Sequence, residues 1–336
     1  MSFGPIWEEL ERVTPPGESG RVKRRIKPEA NCDLFLALAK PANLRMVLML
    51  VKGSSLDGID ELPTARGVEA RIARPGEDGS DASLELVLTD PRSADIFTAL
   101  AADIADAVAA ESSEPEAVAA LIGRLGRWQR FLEEAGSEGL TPERQRGLYA
   151  ELWLLRNYLV DAVGPTSAVQ AWTGPARASH DYQFGPCAFE VKGTAAKQHQ
   201  VLRIVSERQL DDTGVETLFL FHLSLDAHRD TGESLPALVG DVREAVRGTA
   251  AATVFEDGLF GAGYLDAHRH LYENPGYTVR ESNFFRVVQG FPRILESDLV
   301  PGVGDVHYSV AVAECKHFLV DADAVIEEVK ASHVGS

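Results

Sequence analysis

The stretch CAFEVKG at 187–193 constrains this chain more than any other. Side chains alternate faces along a strand, so Phe189 and Val191 point one way and Glu190 and Lys192 the other. The first pair requires a core beneath it, while the second sets an acid and an amine side by side on the opposite face. The preceding HDYQF (180–184) also has strand character, and Gly185-Pro186 between the two reads as a hairpin turn. Eight residues separate Asp181 from Glu190, so the hairpin brings two carboxylates within reach of one divalent cation. Hard ions such as Mg²⁺ take a few such oxygens and keep several waters. A bound ion of this kind lowers the pKa of a water and offsets charge on phosphorus, and Lys192 is placed to orient that water or screen a phosphate. A cross-strand salt bridge of Lys192 with Asp181 or Glu190 is the competing reading of the same residues.

A helix supplies a fourth group. Thr141 offers a cap, Pro142 suits a first helical turn, and the pattern then runs to about Ala162, ahead of Gly164-Pro165. Leu148, Leu152, Leu155 and Leu159 form an apolar stripe, with Glu151 beside it. A carboxylate facing inward needs a cation or hydrogen-bond donors. The polar segment 165–179 reads as a loop.

At 336 residues the chain exceeds one ordinary domain of roughly 150 residues. Gly136, Ser137, Glu138 and Gly139 break the pattern, so an amino-terminal α+β domain over 1–135 and a second domain over 140–336 are expected. The first carries strand-like runs at 45–51, 68–74 and 84–88 and helical patterns at 92–110 and 115–135. In the second, strands are expected at 201–206, 217–225, 277–288 and 306–313, with helices at 234–247 and about 249–259.

The net charge of -18 speaks against a polyanionic partner. Between Arg177 and Arg229, however, six Lys and Arg stand against seven Asp and Glu, and two of those acids are the candidate metal ligands. The acidic excess lies elsewhere, including the linker-like AAESSEPEA at 109–117. RVKRRIK at 21–27 is the one dense basic run, either a phosphate-contacting arm or a solvated surface turn. Cys32, Cys187 and Cys315 are scattered and make no CxxC pair, which fits a reducing cytoplasm. The start, MSFGPIWEEL, shows no leader pattern and no stretch of about 20 apolar residues occurs, so a soluble protein with no membrane partner is expected.

Other groupings carry less. Ser179, His180 and Asp181 are consecutive and cannot face one another as a triad. His268 and His270 could chelate from one strand face but lack a third ligand. GLFGAGY at 258–264 follows a helix rather than joining strand to helix, so it reads as a turn. ESNFFRVVQGFPRI at 281–294, with Arg286 and Arg293, suits either base stacking or ordinary alternating burial.

The order of Glu on a helix, then Asp, then E-x-K on a strand resembles the PD-(D/E)XK nuclease superfamily over about 142–225. GLYAELWLL, HDYQF, FEVKGT and SERQL extend the likeness to an uncharacterised bacterial group of PD-(D/E)XK motif proteins found among restriction and phage-defence genes. The resemblance implies an α/β restriction-endonuclease-like mixed sheet flanked by helices. It implies a Mg²⁺-dependent deoxyribonuclease, with Mn²⁺ able to substitute. Asp181, Glu190 and the carbonyl of Val191 would hold the metal, Lys192 would serve the water and Glu151 would assist. Lys197, Gln198 and Gln209 fall where substrate-side polar groups often lie. The implied partners are double-stranded DNA, a second copy in a homodimer, and a methyltransferase or an ATPase/helicase of a defence system. A catalytically silent DNA-binding or scaffolding subunit of a restriction complex is the alternative. The family's proline before the first acid is His180 in this chain.

Overall fold

The computed structural model describes residues 3–14, 20–59, 61–65, 67–73, 81–135, 139–176 and 178–334. Two compact units result, Met1–Glu138 and Gly139–Ser336. Gly136, Ser137 and Glu138, like Arg74, lie outside the described residues.

The first unit runs α1 (Gly4–Arg12), β1 (Gly20–Ile26), β2 (Asp33–Lys40), β3 (Leu44–Lys52), β4 (Val68–Ala73), β5 (Asp81–Leu88), α2 (Ala94–Ala109) and α3 (Glu114–Ala135). Its antiparallel sheet has the order β1-β2-β3-β5-β4. Two features depart from expectation. RVKRRIK is neither an arm nor a turn: β1 is an edge strand paired along its length with β2. Its cations are engaged within the unit, Arg21 on the buried Glu85, Arg24 on Glu9, Arg25 on Asp33 and Lys27 on Asp106, with Lys23 over the ring of Phe35. The acidic stretch at 109–117 is no linker either. Only residues 110–113 separate α2 from α3, and Ser113 Oγ accepts from the backbone N–H of Glu116, as an N-cap does.

The second unit opens with α4 (Pro142–Leu154), whose first turn is closed by Thr141 Oγ1 accepting from Arg144 N at 3.3 Å. One π turn, Leu155–Leu159, leads into α5 (Val160–Gln170). The expected stop at Gly164 is a kink instead. Gly164 leaves helical geometry at φ 80°, ψ 158°, a region open to glycine, and Pro165 restarts the helix as a favoured first-turn residue. Much of the expected loop at 165–179 is therefore helix.

β6 (Tyr182–Phe184) and β7 (Cys187–Thr194) form the hairpin, turning at Gly185 with φ 54°. Next come β8 (Val201–Ile204), β9 (Thr217–His228), α6 (Leu235–Ala245), α7 (Ala251–Gly261), β10 (Gly276–Arg286), β11 (Tyr308–Ala311), α8 (Val312–Cys315), β12 (Leu319–Val320) and α9 (Ala322–Val334). The main sheet has the order β12-β10-β9-β7-β6, mixed because β7 and β9 run parallel. β8 is not part of it; it pairs with β11 in a two-stranded sheet.

The two faces of β7 have different surroundings. Phe189 and Val191 share a core with Phe219, Phe221, Phe284 and the apolar residues of α4, α6, α7 and α9. Ala188 faces the other way, into a smaller core with Leu202 and Ile204 of β8, Val310 of β11, and Leu218 and Leu220. Helices cover one face and the small sheet the other, giving the α/β mixed sheet flanked by helices that the resemblance implies.

The aromatic centre ties helix to sheet. Phe221 is fully buried, 4.8 Å from Phe284 and stacked at 6.0 Å on Trp153 of α4, measured between ring centroids. Truncating such a ring loses its transfer energy and leaves a cavity. Phe221→Ala should therefore cost about 3–5 kcal/mol, read as a lower denaturant midpoint for the second unit; an unchanged midpoint would contradict this packing.

Candidate active site

The face of β7 that turns toward the small sheet is apolar at Ala188 and becomes charged at Glu190 and Lys192. β9 changes in step. On its matching face Leu218 and Leu220 give way to His222 and Ser224, with Lys192 level with His222 and Thr194 with Ser224. The alternation in TLFLFHLSL held this signal, and sequence reasoning missed it.

The four candidate residues converge here. Asp181 lies across the hairpin from Glu190; its backbone N–H donates to the carbonyl of Phe189 at 2.9 Å, and its Oδ2 accepts from Val191 N at 2.7 Å. Glu190 is buried at 1 % exposure. Lys192 Nζ lies 2.6 Å from Glu190 Oε1, yet off the direction of a hydrogen bond, so that buried oxygen has no aligned donor. The ammonium donates instead to Gln209 Oε1 at 3.3 Å, and the same oxygen accepts from Val205 N at 2.9 Å. Glu151 reaches in from α4, its Oε2 accepting from the indole N–H of Trp172 at 2.7 Å. Tyr182 donates its hydroxyl to the backbone carbonyl of Glu151 at 2.9 Å, fixing the helix just before the π turn.

Three carboxyl groups in a poorly hydrated place resist ionising together. Burial, then the charge of Asp181, pushes Glu190 up to about 8 against the pull of Lys192. Glu151 is raised well above the usual carboxylate range by burial and by Asp181, with Trp172 opposing. Asp181 is raised by burial, against Lys192 and the Val191 amide. Burial alone would lower Lys192, but Glu190 and Asp181 outweigh it, so its ammonium is held more firmly than usual. Beside these acids Lys192 favours its ammonium form. His222 is a further titratable group on this face; burial lowers it to about 4, and its Nε2 lies 2.8 Å from Thr194 Oγ1.

This donor set suits a divalent cation. Three carboxyl groups meet a single lysine here, and Glu190 Oε1 has the Lys192 ammonium at 2.6 Å but no aligned donor, so ionising the acids together calls for further positive charge. Among the described residues no three His, Cys, Asp or Glu side chains form a metal-holding group by themselves, so a set of two carboxylates with a backbone oxygen is the one to consider.

The remaining candidates separate. Lys197 and Gln198 are exposed in the segment after β7. Gln209 braces Lys192 from the short 3₁₀ turn Glu207–Leu210, so its carbonyl is turned to the lysine rather than to a substrate. His268 and His270 lie on a 3₁₀ turn, not a strand, with His268 edge-on to Tyr272. Arg286 pairs with Glu328 and lies over Phe219, and Arg293 binds Leu210 O and Asp212, so neither is offered to a base. The three cysteines are buried and free. No helix among the described residues is long and apolar enough to cross a membrane.

A raised carboxyl pKa makes the folded state bind a proton that the unfolded chain has released, so stability falls as pH rises between the two values. For Glu190 that window runs from 4.5 to about 8. In EDTA, the thermal midpoint of the unaltered protein should fall between pH 5.5 and 8.5 by more than that of Glu190→Gln. Parallel pH profiles would contradict the burial of this acid.

No curated protein and no solved structure matches the chain. A family model does, over residues 4–313, and its description reads "Putative PD-(D/E)XK family member". PD-(D/E)XK proteins are generally nucleases that use divalent metals, and the order helix Glu151, Asp181, Glu190-x-Lys192 falls inside the matched region. The chain therefore belongs to this PD-(D/E)XK family, DUF4420.

Proposed function

We propose that this protein is a Mg²⁺-dependent DNA endonuclease, with Mn²⁺ able to substitute, acting in a restriction or phage-defence system. One observation carries the reading: Asp181, Glu190 and Lys192, with Glu151 behind them, share one buried site in which three carboxyl groups meet a single ammonium. Asp181, Glu190 and the carbonyl of Val191 would hold the metal, which when bound supplies a more acidic water and a counter-charge for the phosphate.

The residues divide the work. Lys192, its ammonium form favoured by the neighbouring acids and tethered to Gln209, would direct positive charge at a non-bridging phosphate oxygen or the attacking water. Because Gln209 already holds the amine in place, little reorganisation is needed as charge develops. Glu151, held by the Trp172 indole, would help to orient water from the helix side. Water then attacks phosphorus in line, leaving 5′-phosphate and 3′-hydroxyl ends. Lys197 and Gln198, exposed beside β7, contact the backbone of double-stranded DNA, and the amino-terminal unit contacts DNA or partners. A second copy, a methyltransferase or an ATPase/helicase completes the assembly.

The test uses purified protein with unmodified and methylated duplex DNA and Mg²⁺ or Mn²⁺. Cleavage should be abolished by EDTA and fall about 100-fold or more in Lys192→Ala, the scale on which a preorganised electrostatic group acts. Glu190→Ala should be silent as well. DNA binding without metal and without cutting, in the presence of the candidate partners, would favour a scaffolding subunit instead.

A further inference from the structure

Between the kinked helix and the hairpin, residues Trp172, Thr173 and Gly174 meet the site at several points. The Trp172 indole has a single donor, spent on Glu151 Oε2 at 2.7 Å. Its ring is buried and lies 5.9 Å from Phe255 of α7 between centroids, so the donor is mounted on a rigid support. Thr173 N and Gly174 N both donate to the carbonyl of Asp181, at 2.9 and 3.0 Å, and Thr173 Oγ1 donates to the carbonyl of His180 at 2.9 Å. The segment thus holds the backbone of one acid and the side chain of another.

Gly174 adds a constraint of space. A Cβ there would come 2.9 Å from Asp181 Oδ1 and 3.2 Å from Glu151 Oε2. Those two oxygens, one from the residue just before β6 and one from α4, therefore converge on the volume that a methyl group at 174 would take. No positive φ accompanies this glycine, so the need for it is one of room and not of backbone conformation.

We infer that Trp172 and Gly174 are positioning residues of the metal site: Trp172 aims the Glu151 carboxylate, and Gly174 keeps open the space where the oxygens of Glu151 and Asp181 meet. The inference rests on the nuclease reading above, and neither residue need touch metal or substrate. Groups behind a metal's ligands commonly change affinity by 10–100-fold when altered; Gly174 stands directly behind Asp181, and Trp172 acts through Glu151, whose Oε2 meets Asp181 Oδ1 at Gly174. Trp172→Phe keeps an aromatic ring against Phe255 and removes only the N–H, which separates positioning from packing.

The experiment is Mn²⁺ titration of the full chain, followed by calorimetry and by the paramagnetic resonance of free Mn²⁺, at a temperature where circular dichroism shows every variant folded. Trp172→Phe should weaken Mn²⁺ binding about 10-fold or more, and Gly174→Ala should weaken it at least as much. Should Gly174→Ala fail to fold, Trp172→Phe alone decides. Equal Mn²⁺ affinity in Trp172→Phe and the unaltered protein would overturn this inference and leave the nuclease reading standing. No Mn²⁺ binding by the unaltered protein would overturn both.

Discussion

Everything about the second unit turns on the cost of keeping three carboxyl groups and one amine together in a poorly hydrated place. Moving a single charge out of water is expensive, and like charges a few ångströms apart make it worse. Lys192 relieves only part of this: Glu190 Oε1 has its ammonium close by but no aligned donor. Such an arrangement does not arise as a way to stabilise a fold, since apolar residues of similar size would do that better. Its upkeep is visible around it, in Trp172 on Glu151, the Val191 amide on Asp181, and Gln209 on Lys192.

The fold provides the means. A hairpin aligns Asp181 with Glu190, while the parallel neighbour β9 supplies an apolar row that yields to polar residues level with Lys192. The aromatic core on the other face clamps β7 to α4 and so fixes where Glu151 arrives. The π turn after Leu154 lies one turn beyond Glu151, and turns of this kind frequently accompany functional sites.

Much of this was legible in the sequence because it rests on local rules. Alternation in CAFEVKG separated the core residues from the charged pair, and Gly185-Pro186 placed the hairpin. What escaped notice depends on contacts distant in the chain. Whether RVKRRIK is an arm or an edge strand is decided by Glu9, Asp33, Glu85 and Asp106, which neutralise it. β8 reads as a strand, but nothing local says that it pairs with β11 instead of joining the main sheet. The helix beyond Gly164 was hidden because a glycine-proline pair marks both a stop and a restart. Trp172 and Gly174 lay unseen for that reason, inside a stretch that reads as polar loop. His222 and Ser224 are legible in the alternation of β9, which changes from apolar to polar level with Lys192 and Thr194.

The central claim is that a divalent ion belongs between Asp181 and Glu190. Crystals grown with Mn²⁺ and measured at its absorption edge test it most directly. The account predicts one strong anomalous peak, bonded at about 2.1 Å to a carboxylate oxygen of each residue, with Lys192 alongside. Saturating Mn²⁺ with no peak there, or a peak elsewhere while Glu190 stays protonated against Lys192, would contradict it.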